Sequence, residues 1–141
     1  MRLTFDTDVI VAALRSRTGA SNALLQALRG RQLEAVASVP MLFEYEAVLM
    51  RPEQRQAIGM SVEDVGYFLD GLAALLRPVV PYFLWRPLLR DPDDEIVLDT
   101  AVNGRADAIV TFNVQDFLPE ARQFQIEVLT PREALRRLRS A

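Results

Sequence analysis

The apolar positions of this chain fall into two alternating textures, short runs of strand length and longer stretches with helical spacing. The chain opens with Arg2-Leu3-Thr4-Phe5-Asp6, which reads as a short buried strand over 2–6. A helical segment follows from about Val9 to Leu14, then a loop from Arg15 to Gly19. Ser21 to Leu28 has the spacing of a second helix, and Gly30 stands just past its end as a stop. Residues 33–38 read as a second strand. Pro40, in a helix's first turn, starts a segment from Met41 to Met50 that ends at Arg51-Pro52. Ser61 with Asp64 three residues later is a cap that opens a helix to about Leu76. Val79-Val80 is a candidate short strand, and 81–87 is Pro-punctuated, aromatic and irregular. A helix is expected from Pro92 to about Val102, strands at 107–112 and 125–129, and a C-terminal helix capped by Thr130.

Strands that alternate with helical stretches imply right-handed crossovers. The expected fold class is therefore α/β, three layers (α/β/α) around a mainly parallel sheet. In such sheets ligands collect beyond the carboxyl ends of the strands. At 141 residues, with no internal repeat or linker, one domain over 1–141 is expected. No apolar signal core precedes the first strand, and no run approaches the ~20 residues of a membrane span. A soluble cytoplasmic protein without a membrane role is the expectation.

Composition narrows the chemistry. The chain has no His, no Cys and no Lys, so all 16 basic residues are Arg. Imidazole bases, thiol nucleophiles, lysine Schiff bases and zinc sites built from His or Cys are excluded. Metal-assisted hydrolysis through carboxylates survives. The net charge of −3 is unusual for a nucleic-acid binder. Setting aside four candidate site acids from the 19 Asp and Glu leaves 15 against 16 Arg, so charge does not decide the question.

Those four acids are Asp6, Glu44, Asp94 and Asp116. Asp6 ends the first strand. Its neighbour Asp8 is suited to cap the next helix, which leaves Asp6 free to face a cleft. Two carboxylates two residues apart repel unless a cation, a proton or hydrogen bonds intervene. Asp94 lies among ordinary helix-start acids, but it shares a face with Val97, Leu98 and Ala101, whereas Asp93 and Glu95 suit the capping role. Glu44 sits in a helix that is apolar nearly all round, so it should be well covered; its ordinary partner would be an Arg, and Glu46 is an equal candidate by pattern. Asp116 follows a strand, where Asp is a common turn residue, with Thr111 and Asn113 beside it at the same sheet edge. The Arg-rich segment 132–139 reads as a solvated helix face before it reads as an RNA clamp. Tyr82, Phe83 and Trp85 have the chemistry to stack on bases, although such patches more often serve a core or a dimer contact.

Taken in order, Asp…Glu…Asp-x-x-Val…Thr-x-Asn-x-x-Asp-Phe resembles the PIN-domain family of magnesium-dependent ribonucleases, many of whose bacterial members are VapC-type toxins. The resemblance extends to the opening Leu-Thr-Phe-Asp-Thr-Asp, Leu49-Met50-Arg51-Pro52, Arg90-Asp91-Pro92-Asp93-Asp94, and Val128-Leu129-Thr130-Pro131-Arg132-Glu133. It implies that Asp6, Glu44, Asp94 and Asp116 hold one or two Mg²⁺ (or Mn²⁺). It prefers Glu44 to Glu46, because Glu44 precedes Leu49 by five. Thr111 and Asn113 fall on supporting positions. The implied activity is hydrolysis of RNA phosphodiesters by an activated water. The implied partners are an RNA substrate, a second copy in a homodimer, and a small antitoxin whose inserted segment blocks the site. Asp8 departs from the family, which usually has Asn there; an extra carboxylate would tighten metal binding or change the metal used. The aromatic stretch Tyr82–Trp85 is a second departure.

Two other classes compete. Asp6-Thr7-Asp8-Val9 after a strand also matches the opening of haloacid-dehalogenase-type phosphatases, and response regulators likewise want acids there. Both rely on a Lys at the phosphate, which this chain lacks. A non-catalytic PIN-like module for RNA or protein binding is the other alternative; stable metal binding without cleavage would favour it.

Overall fold

The computed structural model describes residues 1–80 and 88–140. The expected irregular stretch with Tyr82, Phe83 and Trp85 lies outside the described residues.

Five strands form one all-parallel sheet in the order β3-β2-β1-β4-β5. They are β1 (Arg2–Phe5), β2 (Glu34–Ala37), β3 (Arg77–Pro78), β4 (Ala108–Val110) and β5 (Glu127–Leu129). The register pairs Leu3 with Ala35 on one side and with Ala108 on the other, which makes β1 the central strand. Among the described residues, seven helices accompany the sheet: α1 (Thr7–Arg15), α2 (Ala20–Arg29), α3 (Val39–Leu49), α4 (Pro52–Ile58), α5 (Val62–Leu75), α6 (Pro92–Asn103) and α7 (Pro131–Arg139). α2 packs against α1 and α7, whereas α3 meets α5 and α6, so the expected three layers are present.

Central strands buried on both faces must be apolar throughout, and these are: Leu3 and Phe5, Ala35 to Ala37, and Ala108 to Val110 are all nearly inaccessible. Local signals stop the helices where expected. Gly30 ends α2, Ser61 and Asp64 form a reciprocal capping box on α5, and Thr130 with Glu133 forms another on α7. Gly104, just past α6, allows a close approach. A Cβ there would lie 2.9 Å from the Thr100 carbonyl oxygen and from methyls of Val36 and Val79.

Three details differ from the sequence expectation. β3 is Arg77–Pro78 rather than Val79-Val80, because the edge strand pairs with β2 through Val36 and Ala37 and ends there. Pro52 does not merely stop α3; it occupies the first turn of α4, where its missing N–H has no cost. Short 3-10 turns, Val114–Asp116 and Glu120–Phe124, fill the path from β4 to β5.

The sheet order fixes where a ligand would lie. The chain winds outward from β1 to β2 and β3, then returns to β4 on the other side of β1. The crevice beyond the carboxyl ends of β1 and β4 is the topological switch point.

Candidate functional site

Asp6 is the first residue beyond β1, and its N–H donates to the Val110 carbonyl at 2.9 Å, so the strand ladder itself fixes its backbone. It is also the N-cap of α1: its Oδ1 accepts from the Thr7 N–H at 2.9 Å. This reverses the expected division of labour between Asp6 and Asp8, because the strand ends directly at the cap and leaves Asp8 inside the first helical turn. The other oxygen of Asp6 accepts from the Thr111 hydroxyl at 2.7 Å. Thr111 is fully buried, and its Oγ1 in turn accepts from the Asn113 N–H at 3.0 Å. A side chain after β4 thereby holds the carboxylate after β1.

Asp8 links the same two strand ends. Its Oδ2 accepts from the Phe112 N–H and from the Asn113 side-chain amide, each at 3.1 Å. Its Oδ1 is buried without a hydrogen-bond partner. Burial, then the charge of Asp6, push the Asp8 carboxyl up to about 6.

Glu44 is half-buried and Glu46 is exposed, and of the two only Glu44 lines the cleft. The helix is less apolar all round than its sequence suggested. α3 buries Met41, Tyr45 and Leu49 on one side and leaves Val39 and Phe43 exposed on another. Among the described residues Glu44 has no salt-bridge partner; its carboxyl is pushed up by burial first and then by Asp93, with Arg51 partly offsetting. Beside it, the wholly buried Tyr45 donates its hydroxyl to the Phe5 carbonyl. That bond ties the helix carrying Glu44 to the strand end carrying Asp6.

Asp94 lies one turn before the buried Val97 and Leu98 and is itself half-buried. Capping of α6 falls to Asp91, which accepts from the Asp93 N–H at 2.9 Å. Glu95 turns back to accept from the Leu88 and Leu89 N–H groups. Among the described residues Asp94 has no hydrogen-bond or salt-bridge partner. Burial, and then the charges of Asp6, Asp91, Asp116 and Asp93, raise its carboxyl to about 7. Asp6 is also pushed up, mainly by burial, against the lowering effect of its hydrogen bonds to Thr111 and Thr7.

Asp6, Asp8, Glu44, Asp94, Asn113 and Asp116 line one open cavity of about 620 Å³. Its described wall carries seven carboxylates (Asp6, Asp8, Glu44, Asp91, Asp93, Asp94 and Asp116) and no basic residue. The topology brings together the four acids singled out in the sequence, with Asn113 and Asp8. Asp91 and Asp93 also line the cavity; the density of acids between Asp91 and Glu95 is the sequence signal for them. Such a wall is electrostatically incomplete, since like charges in a partly desolvated cleft raise one another's pKa unless a cation intervenes. The donors are all hard oxygens, and Asp8 Oδ1 lacks a partner, so the set fits a hard divalent cation in chemistry and charge. As the side chains stand, no three described acids are close enough to enclose an ion, and closing round one requires them to rotate inward.

A family described as PIN domain matches residues 2–115, which includes Asp6, Glu44 and Asp94 and stops one residue before Asp116. The crystal structure of VapBC2 from Rickettsia felis, bound to a DNA fragment from its promoter, contains a chain of similar fold. The TM-score is 0.60 at 15% identity, over 92% of this chain and 98% of that one. Among curated proteins, none matches the sequence.

Proposed function

This chain belongs to the PIN-domain family, and from that premise we propose that it is a divalent-metal-dependent endoribonuclease whose site is Asp6, Glu44, Asp94 and Asp116. The observation that carries the reading is the cleft wall of seven carboxylates without a described cation, at the switch point of a parallel sheet. A protein that used the cleft only for structure would pair these acids, as it pairs Glu34 with Arg2 elsewhere.

Mg²⁺ (or Mn²⁺) would be held by those four acids. When bound, it supplies charge neutralisation at a phosphodiester and acidifies a water for attack. The chain's own residues prepare the site. Thr111 fixes the orientation of Asp6, and Asp8 and Asn113 join the strand ends that carry the first and fourth acids. Burial and the neighbouring charges of Asp6, Asp91, Asp116 and Asp93 raise the Asp94 carboxyl to about 7, and a bound cation would favour its ionised form. Attack by water requires no side-chain nucleophile, which fits a chain without His, Cys or Lys. The likeness in fold to a chain of a VapBC complex supports the finer reading of a type II toxin with a small antitoxin partner, and a homodimer is proposed on the family resemblance alone. No described helix is long and apolar enough to cross a membrane, and a cytoplasmic place of action accords with that reading.

The test is cleavage of a panel of single-stranded and structured RNAs with Mg²⁺, Mn²⁺ or EDTA, beside Asp6→Asn and Asp94→Asn. Cutting that needs metal and is lost in both variants is the expected result. Binding of metal and RNA by the folded wild type, with no cleavage across the panel, would instead identify a non-catalytic module.

A further inference from the structure

We propose that the hollow between Arg90 and Gln115 is the subsite for the nucleotide next to the scissile phosphate. The Arg90 guanidinium holds that nucleotide's own phosphate, and the Gln115 carboxamide reads the edge of its base. The inference rests on the nuclease reading above and adds to it the path of the strand and a base preference.

A second cavity, of about 470 Å³, adjoins the acid cleft and shares Asp91, Asp94 and Asp116 with it. Asp6 and Glu44 line only the first cavity, so the second opens on the far side of the third and fourth acids. Its size falls within the roughly 300–1,000 Å³ usual for ligand clefts. Its wall differs in kind from the acid wall. Leu88, Leu89 and Leu118 give it an apolar side, and Arg90 is the one basic residue on the described walls of the two cavities. Arg90 is exposed and forms no salt bridge among the described residues. Gln115 is exposed as well, one residue before Asp116.

Local structure fixes both groups. The Glu95 carboxylate turns back onto the Leu88 and Leu89 N–H groups, which ties the residues just before Arg90 to the first turn of α6, where Asp94 stands. Gln115 lies in the 3-10 turn Val114–Asp116, in which the Asp116 N–H donates to the Asn113 carbonyl at 3.0 Å. Each group is set by the same turn that sets one of the acids.

Charge and chemistry select the occupant. Asp91 and Glu120 also stand on this wall, and Asp91 is committed to capping α6. With a cation on Asp94 and Asp116 a polyanion can enter, and Arg90 is then the described side chain here that can hold its next phosphate. An aliphatic wall accepts the face of a base, and a carboxamide offers its edge both a donor and an acceptor. A nucleotide uses all three features at once.

The experiment measures binding of short oligo(A), oligo(C) and oligo(U) RNAs in Mg²⁺ over a range of salt concentrations, in an Asp6→Asn background. Asp6 lines the other cavity, so this parent leaves the subsite wall intact while the strand is held uncut. Arg90→Gln is expected to weaken binding of all three RNAs about tenfold. It should also flatten the slope of log K against log salt by about 0.7, the loss of one phosphate contact on a single strand. Arg90→Lys should restore the slope, because it restores the charge. Gln115→Ala should leave the slope unchanged and narrow the spread of affinities among the three RNAs. An unchanged slope in Arg90→Gln would overturn the phosphate contact even if affinity fell, since a residue that only shapes the turn removes no counterion release. An unchanged spread in Gln115→Ala would overturn the base contact. Variants that bind all three RNAs as the parent does would overturn the subsite and leave the hollow to a protein partner. Absence of RNA binding in the parent is a different result: the nuclease reading itself fails, and the subsite falls with it.

Discussion

At the amino-terminal edge of the sheet, Glu34 meets Arg2 at 3.0 Å and Arg77 at 3.6 Å. Asp107 accepts from the Arg2 backbone N–H at 2.8 Å, and the Arg2 guanidinium also donates to the Gly104 carbonyl at 3.0 Å. At the carboxyl-terminal edge of the same strands, the acids face one another across the cleft. The two edges shift their carboxylates in opposite directions: Arg2 holds Glu34 below the usual range, whereas burial and like charge push Asp6, Asp8 and Asp94 above it. Among the described residues, Glu34 at one edge meets Arg side chains and the cleft acids at the other form no salt bridge. The contrast teaches that acidity by itself does not mark a function, but acidity left without a counter-charge does.

Replacing one acid at each edge tests this most strongly. Asp94→Asn is expected to lower metal-dependent cleavage on the order of 10²-fold or more, measured as kcat/KM on a cleavable RNA. Glu34→Gln should leave the same constant within about twofold, the size of effect expected far from the reacting atoms. Equal losses in the two variants would erase the distinction between the edges.

A second test uses pH. Asp8 and Asp94 have folded values near 6 and 7, above their unfolded value near 3.8, so the folded chain binds more protons in that window. Their contribution to stability is fully present below that unfolded value and is lost as pH rises through 6 and 7. The Tm of the metal-free protein should therefore fall between pH 5 and pH 8, and saturating Mg²⁺ should raise Tm more at pH 8 than at pH 5. A Tm gain from Mg²⁺ that does not vary with pH would mean that the ion binds elsewhere.

The smallest expected effect tests how the unpaired edge is held. Tyr45→Phe removes the buried hydrogen bond to the Phe5 carbonyl and should cost about 1–2 kcal/mol of stability by urea unfolding. It should also weaken Mg²⁺ binding by calorimetry, because Glu44 and Asp6 lose the bond that ties their backbones together. Unaltered Mg²⁺ affinity would limit Tyr45 to a stabilising role.

Much of this was legible from local chemistry. Apolar runs of strand length, the caps at Ser61 and Thr130, and the prolines at helix starts act within a few residues, and the structure places helices and strands close to where they pointed. The boundary errors arose where partner strands decide, as at β3, whose extent depends on pairing with Val36 and Ala37. Asp6 and Asp94 were legible as candidates because strand ends and helix periodicity are local properties. Glu44 and Glu46 are alike by hydrophobic pattern, and only the resemblance prefers Glu44; in the fold Glu44 lines the cleft and Glu46 is exposed.

The sequence by itself determined the elements, the parallel α/β class and the chemistry open to the chain, because propensity, periodicity and residue type need no distant neighbour. Tertiary structure alone decided which acids remain unpaired. Pairing depends on what arrives from 32 to 105 residues away, as Arg2 reaches Glu34 and Asp107 while Thr111 reaches Asp6. It also decided that Asp6 rather than Asp8 caps α1, and that Phe43 stands exposed beside Glu44, because each outcome follows from which face a helix turns to the sheet.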